Sequence, residues 1–215
     1  MPSKGRPTGF TLIEMVIALS VAGIIAGIGL SALAGMKTRG NFASATGNLI
    51  VGLRKTRAVS YARGTTTVFV IDTVGARFWG IEDVNGAFDL NTFNPATPTP
   101  AGFNPIIDGV LPTGPLGVTF TVATNGYGSA LPQPYAGIPS FSGSTAVPNF
   151  AYCSFCKTAN PNLGFGSISF DASGNARFNS GPAAVGQSFT VKGQALMTVA
   201  VVGRTGTAET FQNPP

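Results

Sequence analysis

Few side chains in this 215-residue sequence could carry out chemistry, because it contains no histidine and only eight acidic residues. Histidine is the commonest general base and metal ligand, so its absence removes the usual centre of an enzyme site. The acidic residues are scattered, and only Glu82 and Asp83 are adjacent. No GxSxG, HExxH, Walker-type or Rossmann motif occurs. We therefore expect no catalytic residues, no metal site and no cofactor.

The only two cysteines, Cys153 and Cys156, are separated by two residues. Positions three apart on a straight strand face opposite sides, so a disulfide requires a turn that brings the Cα atoms to about 6 Å. Thiols in an exported domain face an oxidising space, and this favours the local disulfide. The alternatives are a CxxC redox site, half of a zinc site completed by other ligands, and two free thiols.

A single carboxylate, Glu14, borders the apolar run from Met15 to Met36, which has 22 residues and no charge. That length can cross a bilayer as a helix, and a charge at the edge of such a segment is usually paired and functional. The basic leader, residues 1–9, ends at Gly9. In an ordinary secretory signal the small residue follows the apolar stretch, whereas Gly9 precedes it. Cutting after Gly9 would leave the apolar segment on the mature protein.

The run Gly9-Phe10-Thr11-Leu12-Ile13-Glu14 resembles the processing site of type IV pilins and type II secretion pseudopilins. The resemblance implies that a prepilin peptidase cuts between Gly9 and Phe10 and methylates the new N-terminus. It also implies that residues 10–36 form a transmembrane helix that later enters a filament core. Cleavage creates a cationic amine on Phe10, about one helical turn from Glu14. We expect the Glu14 carboxylate to pair with the Phe10 amine of a neighbouring subunit, since an unpaired buried carboxylate is costly.

Two alternatives stay open in the apolar segment. One alternative is that the segment is a plain signal anchor, in which the Glu14 side chain reaches toward the lipid headgroups. Gly23 and Gly27 form a GxxxG pair, which lets helices approach closely in lipid, although glycines are also simply tolerated in membrane helices.

Residues 37–63 continue the helix as an amphipathic segment that packs on the head. Apolar or small residues recur there at spacings of three and four, as on one buried helical face: Phe42, Ala45, Leu49, Leu53, Thr56 and Val59. Gly64 is the predicted stop. Gly40 and Gly47 each cost roughly 1 kcal/mol relative to alanine, which weakens this stretch and leaves a bend or break near them as an alternative to a continuous helix.

After Gly64 the pattern changes to short β-branched and alternating runs, which predict strands. The predicted strands are residues 65–71, 77–81, 117–122, 167–170, 176–178, 188–191, 195–202 and 207–211. The sequence therefore predicts an α+β fold, in which a long N-terminal helix packs on a β-rich antiparallel head formed by residues 64–215, as in the pilin fold.

The order of these elements resembles the GspH/FimT group of minor pilins and pseudopilins. The matching pieces are the N-terminal motif, the helix end at 53–58 leading into a valine-rich strand, and the closing Val-Val-Gly-Arg-Thr-Gly turn at 201–206. The resemblance covers about residues 9–80 and 165–211. The segment from about 85 to 165 departs from it and is rich in proline, glycine, asparagine and threonine, so we expect loops with short strands there.

The resemblance implies a low-abundance subunit that starts in the inner membrane with its head in the periplasm. An inner-membrane assembly platform would extract it from the lipid into a type IV pilus or a type II secretion pseudopilus, where it contacts other subunits at the tip. Two other hypotheses are a DNA-binding pilin, with Arg204 as a possible contact, and a major pilin. DNA binding needs clustered exposed cations, yet residues 64–215 hold five basic and seven acidic residues.

Overall fold

The computed structural model of the protein describes residues 11–113, 117–120, 131, 135, 137–138, 153–157, 159–179, 186–193, 196–201, 203 and 205–212. In this part of the chain one helix precedes eight strands, and the predicted α+β fold with a sheet-rich head is confirmed. The elements are α1 (Leu12–Arg63), β1 (Thr66–Asp72), β2 (Arg77–Asp83), β3 (Phe103–Val110), β4 (Phe165–Phe170), β5 (Ala176–Phe178), β6 (Gln187–Lys192), β7 (Leu196–Val201) and β8 (Ala208–Gln212).

Helix α1 runs without interruption for 52 residues, through both Gly40 and Gly47. Each of these glycines weakens the helix only modestly, while burial of Leu49 and Leu53 against the head holds the same stretch. The helix ends where predicted. Gly64 adopts the left-handed conformation at φ 65° and donates its N–H to the Ser60 carbonyl at 2.9 Å, as at a glycine C-cap.

The head contains two antiparallel sheets, one of five strands in the order β3-β2-β1-β4-β5 and one of three in the order β6-β7-β8. Alternate residues of β1 face opposite sides of the larger sheet. Phe69 and Ile71 pack toward α1 and share a core with Phe189 and Val199 of the smaller sheet. Val68 and Val70 face the other way, toward a second core around Trp79. Both faces of the central strand are therefore covered.

The strand predicted at 117–122 is absent from 117–120, the part of it that the structure describes. Thr119 makes one isolated bridge with Lys192, in which each N–H donates to the other carbonyl at 2.8 Å. Val118 and Phe120 are nevertheless buried in the main core. The alternating sequence pattern therefore predicted correctly that these side chains are buried. Residues 117–120 nevertheless make only this one bridge with β6 and form no strand.

Strand β3 lies inside the segment from 85 to 165, at residues 103–110, where no strand was predicted. It forms the edge of the larger sheet and is mostly exposed or half-buried. Its sequence, FNPIIDGV, contains asparagine, proline, aspartate and glycine, which are depleted in strands. Pro105 is tolerated because an edge strand leaves N–H groups unpaired on its outer side. The register shifts between Gly80 and Ile81 of the neighbouring strand.

Candidate assembly helix and its attachment to the head

The N-terminal end of α1 is closed by a reciprocal capping box between Thr11 and Glu14. Glu14 Oε2 accepts hydrogen bonds from the Thr11 backbone N–H at 2.8 Å and from Thr11 Oγ1 at 2.9 Å. In return, the Glu14 N–H donates to Thr11 Oγ1 at 3.3 Å. A carboxylate in the first turn also complements the positive end of the helix dipole. Thr11 and Glu14 therefore act as one polar unit.

Sequence analysis identified Glu14 but missed Thr11, although the Thr-x-x-Glu spacing before an apolar run is the signature of this cap. One oxygen of the carboxylate, Oε1, accepts no hydrogen bond from the part of the chain that the structure describes. Gly9 and Phe10 lie outside the described residues. Cleavage between them and the pairing of Glu14 with a Phe10 amine stay predictions.

The first half of α1 has the length and composition of a membrane span. Within the residues described, Leu12–Gly29 is the one helical segment that meets this test, with a mean hydropathy of 2.2. None of it is buried against the head. The Ser20 hydroxyl donates to the Val16 carbonyl at 2.8 Å, so its polarity is satisfied inside the helix. Among the described residues, Gly23 and Gly27 have no atom within 4 Å of where a Cβ would lie, so their packing against another helix stays a prediction.

The second half of α1 lies against the head through one face. Leu49, Leu53, Thr56 and Ser60 are each at most 1% exposed. Thr56 is also linked to the sheet, because its carbonyl accepts a hydrogen bond from Thr67 Oγ1 at 2.9 Å. The helix is thus joined to the head by both apolar burial and hydrogen bonding.

Three cations of this half donate to backbone carbonyls of the head. Arg54 Nη2 donates to Ala208 at 3.3 Å, Lys55 Nζ to Ile106 at 3.1 Å, and Arg57 Nε to Gly174 at 3.3 Å. The three acceptors belong to β8, β3 and the turn before β5, which are distant in sequence. Sequence analysis did not identify these acceptors. The three cations attach α1 to three separate parts of the head.

A fourth cation, Arg63, pairs with Glu82 of β2 at the end of the helix. The Glu82 side chain is only 4% exposed. A hydrogen bond from Asn104 Nδ2 at 3.0 Å is the largest influence that lowers the pKa of Glu82 below its usual value of 4.5. Burial opposes this by raising the pKa, while bonds from Thr65 and Arg63 lower it further. The Glu82 carboxylate is therefore kept in its charged form, and it links the end of α1 and strand β2 to the edge strand β3.

Cys153 and Cys156 are joined as a disulfide with Cα atoms 5.4 Å apart. The Cys156 N–H donates to the Cys153 carbonyl at 3.4 Å, and Cys153 bridges to Phe189 of β6. The pair therefore lies in the tight turn that the local disulfide requires, rather than at a helix N-terminus. Phe155, inside the turn, is 1% exposed and packs between the rings of Phe178 and Phe189.

Arg204, the residue proposed for nucleic-acid contact, lies outside the described residues. Among the described cations of the head, Arg77 pairs with Asp108 at 3.1 Å and Lys157 donates to Asn91. Arg177 and Lys192 are exposed.

Residues 6–30 match the family model described as the prokaryotic N-terminal methylation motif. The matched segment includes Gly9, Phe10, the Thr11–Glu14 cap and most of the apolar helix. No curated protein and no solved structure matches the chain. The chain thus carries a type IV pilin-like signal, which implies processing by prepilin peptidase and assembly with other pilin subunits. The motif also suggests a structural subunit rather than an enzyme, and the apolar helix is consistent with a membrane anchor.

Proposed function

We propose that this protein is a minor pilin or pseudopilin of the GspH/FimT kind, which joins a type IV pilus or type II secretion pseudopilus at or near its tip. The observation that carries the proposal is the Thr11–Glu14 cap at the start of an apolar helical segment that no described part of the chain buries. Before assembly, this helix anchors the protein in the inner membrane, and the head lies in the periplasm. The assembly platform then moves the helix from lipid into the filament core.

Glu14 guides this step through the oxygen that Thr11 leaves open. The bonds from Thr11 hold Oε2 and fix the direction of the carboxylate. Oε1 can then accept from the methylated Phe10 amine of the neighbouring subunit. A pair formed between opposite charges in a low-dielectric filament core is strong only when both groups are held in position. The cap supplies that positioning on the Glu14 side.

The architecture of the head favours a minor subunit over a shaft subunit. The segment between β2 and β4 adds an edge strand and a long covering loop to the larger sheet. Such an addition suits a subunit that ends a filament or contacts a few specific partners. DNA capture is less favoured, because residues 64–215 hold five basic and seven acidic residues, and Arg54, Lys55, Arg57 and Arg63 each donate to the head.

The test uses full-length variants in the native host. Gly9→Leu should block processing, which mass spectrometry detects as a retained leader and an unmethylated N-terminus. Glu14→Gln keeps a hydrogen-bond acceptor for Thr11 but removes the charge, so processing should continue while incorporation into sheared filaments or pseudopili is lost. Ser20→Ala is the matched control in the same helix, because the Ser20 hydroxyl bonds only within its own turn.

Two results would contradict the proposal. One is normal filament incorporation or secretion in both Gly9→Leu and Glu14→Gln. The other is an unprocessed N-terminus in the wild-type protein. Loss of incorporation in Ser20→Ala as well would show that the segment tolerates no change, and Glu14 would then have no special role.

A further inference from the structure

The face of the larger sheet opposite α1 carries a cavity of about 440 Å³, which lies within the size range of small-molecule sites. Its floor is formed by the outward-facing residues of β1 and β4, among them Thr66, Val68, Ser167 and Ser169. Hydrogen-bonded strands are rigid, so these groups are held in place before any ligand arrives. Because α1 covers the other face of the sheet, neither lipid nor a filament core contacted by α1 closes this cavity.

The walls of the cavity are also fixed by specific bonds. The carboxylate of Asp83, 3% exposed, accepts from the N–H groups of Ala87 at 3.0 Å and Phe88 at 2.8 Å, which holds the turn after β2. On the opposite side, Asn179 Oδ1 accepts from the Ser167 N–H at 2.8 Å. Lys157 closes a third side by donating to Asn91.

Several polar groups that line the cavity lack protein partners. The Ser167 residue is 6% exposed, yet its hydroxyl has no hydrogen-bond partner among the residues that the structure describes. The Thr66 hydroxyl and Asn179 Nδ2 likewise have none within that part of the chain. These groups are open to solvent, so a ligand that bonds to them takes the place of water. These three groups supply both donors and acceptors.

The charges and apolar atoms of the cavity restrict the ligand. Asp83 and Asp89 outnumber the single cation Lys157, which disfavours phosphate, nucleic acid and other anions. Asp83 and Lys157 are already bonded within the protein, so the exposed Asp89 is the one lining charge that a cation could still meet, and a single exposed carboxylate selects a cation weakly. The half-buried ring of Phe88 adds apolar surface beside the hydroxyl and amide groups. A neutral molecule with many hydroxyl groups and a C–H face fits this combination.

We infer that this cavity binds a neutral saccharide of one or two rings. The sugar hydroxyls bond to Thr66, Ser167 and Asn179, and a ring face packs on Phe88. The inference concerns the head alone and is independent of the kind of filament that the helix enters. It gives the exposed face of the protein a ligand-binding role beyond assembly.

The test is saturation-transfer NMR on the full chain in lauryldimethylamine oxide micelles, because maltoside detergents would compete for the site. Maltose, cellobiose, lactose and diacetylchitobiose are the probes, and glucose 6-phosphate and putrescine are the charged comparisons. We expect transfer to at least one neutral disaccharide and none to the charged probes. Ser169→Tyr should abolish it by filling the cavity, whereas Ser173→Tyr, on an exposed turn outside the cavity, should leave it unchanged.

A second variant tests the hydroxyl groups without adding bulk. Thr66→Val with Ser167→Ala removes two hydroxyls that bond to no described residue, so the fold should persist and affinity should fall roughly tenfold. The fluorescence of Trp79, the only tryptophan, checks the fold of each variant. The inference is overturned if no neutral disaccharide binds, if Ser169→Tyr binds as the wild type does, or if a charged probe binds more tightly.

Discussion

Thr56 of α1 occupies the space that Gly80 of β2 leaves open by lacking a side chain. A Cβ on Gly80 would collide with Thr56 Oγ1 and would lie 2.8 Å from Cγ2 of Ile107 on β3. Thr56 is fully buried at this point, and its hydroxyl donates to the Gly52 carbonyl at 2.8 Å. The helix therefore approaches the sheet most closely where the sheet has a glycine.

Gly80→Ala should destabilise the head by about 1–3 kcal/mol, because overpacking forces α1 away from the sheet. The measurement is denaturant unfolding of the full chain in micelles, followed by the fluorescence of Trp79, which is 2% exposed in the folded head. Thr56→Ala in the same chain removes one of the two colliding groups, so the two effects should be less than additive. Additive effects would show that Gly80 and Thr56 are not in contact.

Gly47→Ala should stabilise the protein by about 1 kcal/mol, since alanine is the better helix former and Gly47 has nothing within 4 Å of the new methyl group. Gly52→Ala is the matched comparison in the same helix. Its methyl group would lie 3.0 Å from Phe78 and 3.2 Å from Ile107, so crowding should cancel the gain. Equal stabilisation by both substitutions in the same unfolding assay would contradict this account of the interface.

The head should lose stability at low pH because protonation of Glu82 removes a stabilising effect. Its pKa is lowered in the folded state, so its stabilising effect is complete above its usual value of 4.5 and is lost as pH falls from there through the lower folded pKa. Unfolding midpoints measured from about pH 6 to about pH 3 should fall less steeply in Glu82→Gln than in the wild type. Asp108→Asn, which breaks an exposed ion pair with Arg77, is the control and should keep the wild-type slope. Identical slopes in the wild type and Glu82→Gln would refute this role.

Replacing both Cys153 and Cys156 by alanine should cost about 2 kcal/mol, the chain-entropy effect expected for so small a ring. The turn that they close also holds Phe155 between two other aromatic rings. A thiol reductant should lower the thermal midpoint of the wild type and leave the double variant unchanged. If the reductant affects both proteins equally, the disulfide is not the cause.

The elements with strong local signals were predictable from the sequence. The spacing of Leu49, Leu53 and Thr56 identified the buried face of α1, because helical periodicity depends only on neighbours along the chain. Gly64 ended the helix for an equally local reason. Strand β3 was not predictable, since Asn104, Pro105 and Asp108 argue against a strand and only the neighbouring strand β2 makes it one. Edge position overrides propensity here.

The contacts that give the molecule its function were harder to predict than the elements. The carbonyl acceptors of Arg54 and Arg57 lie more than a hundred residues away, in β8 and the turn before β5, so no sequence pattern links them to α1. The Thr11–Glu14 cap, by contrast, is a local pattern that could have been found. The cavity combines Thr66, Lys157 and Asn179, three positions that only the folded sheet brings together.

The unbroken helix determines which way the head faces. A helix without a joint between Glu14 and Ser60 fixes the rotation of one end relative to the other, and Ser60 is fully buried at the helix–head boundary. Any contact that orients Glu14 about the helix axis therefore orients the whole head. In a helical assembly, the Glu14 carboxylate at one end of α1 would therefore determine which way the proposed saccharide cavity faces on the head at the other end.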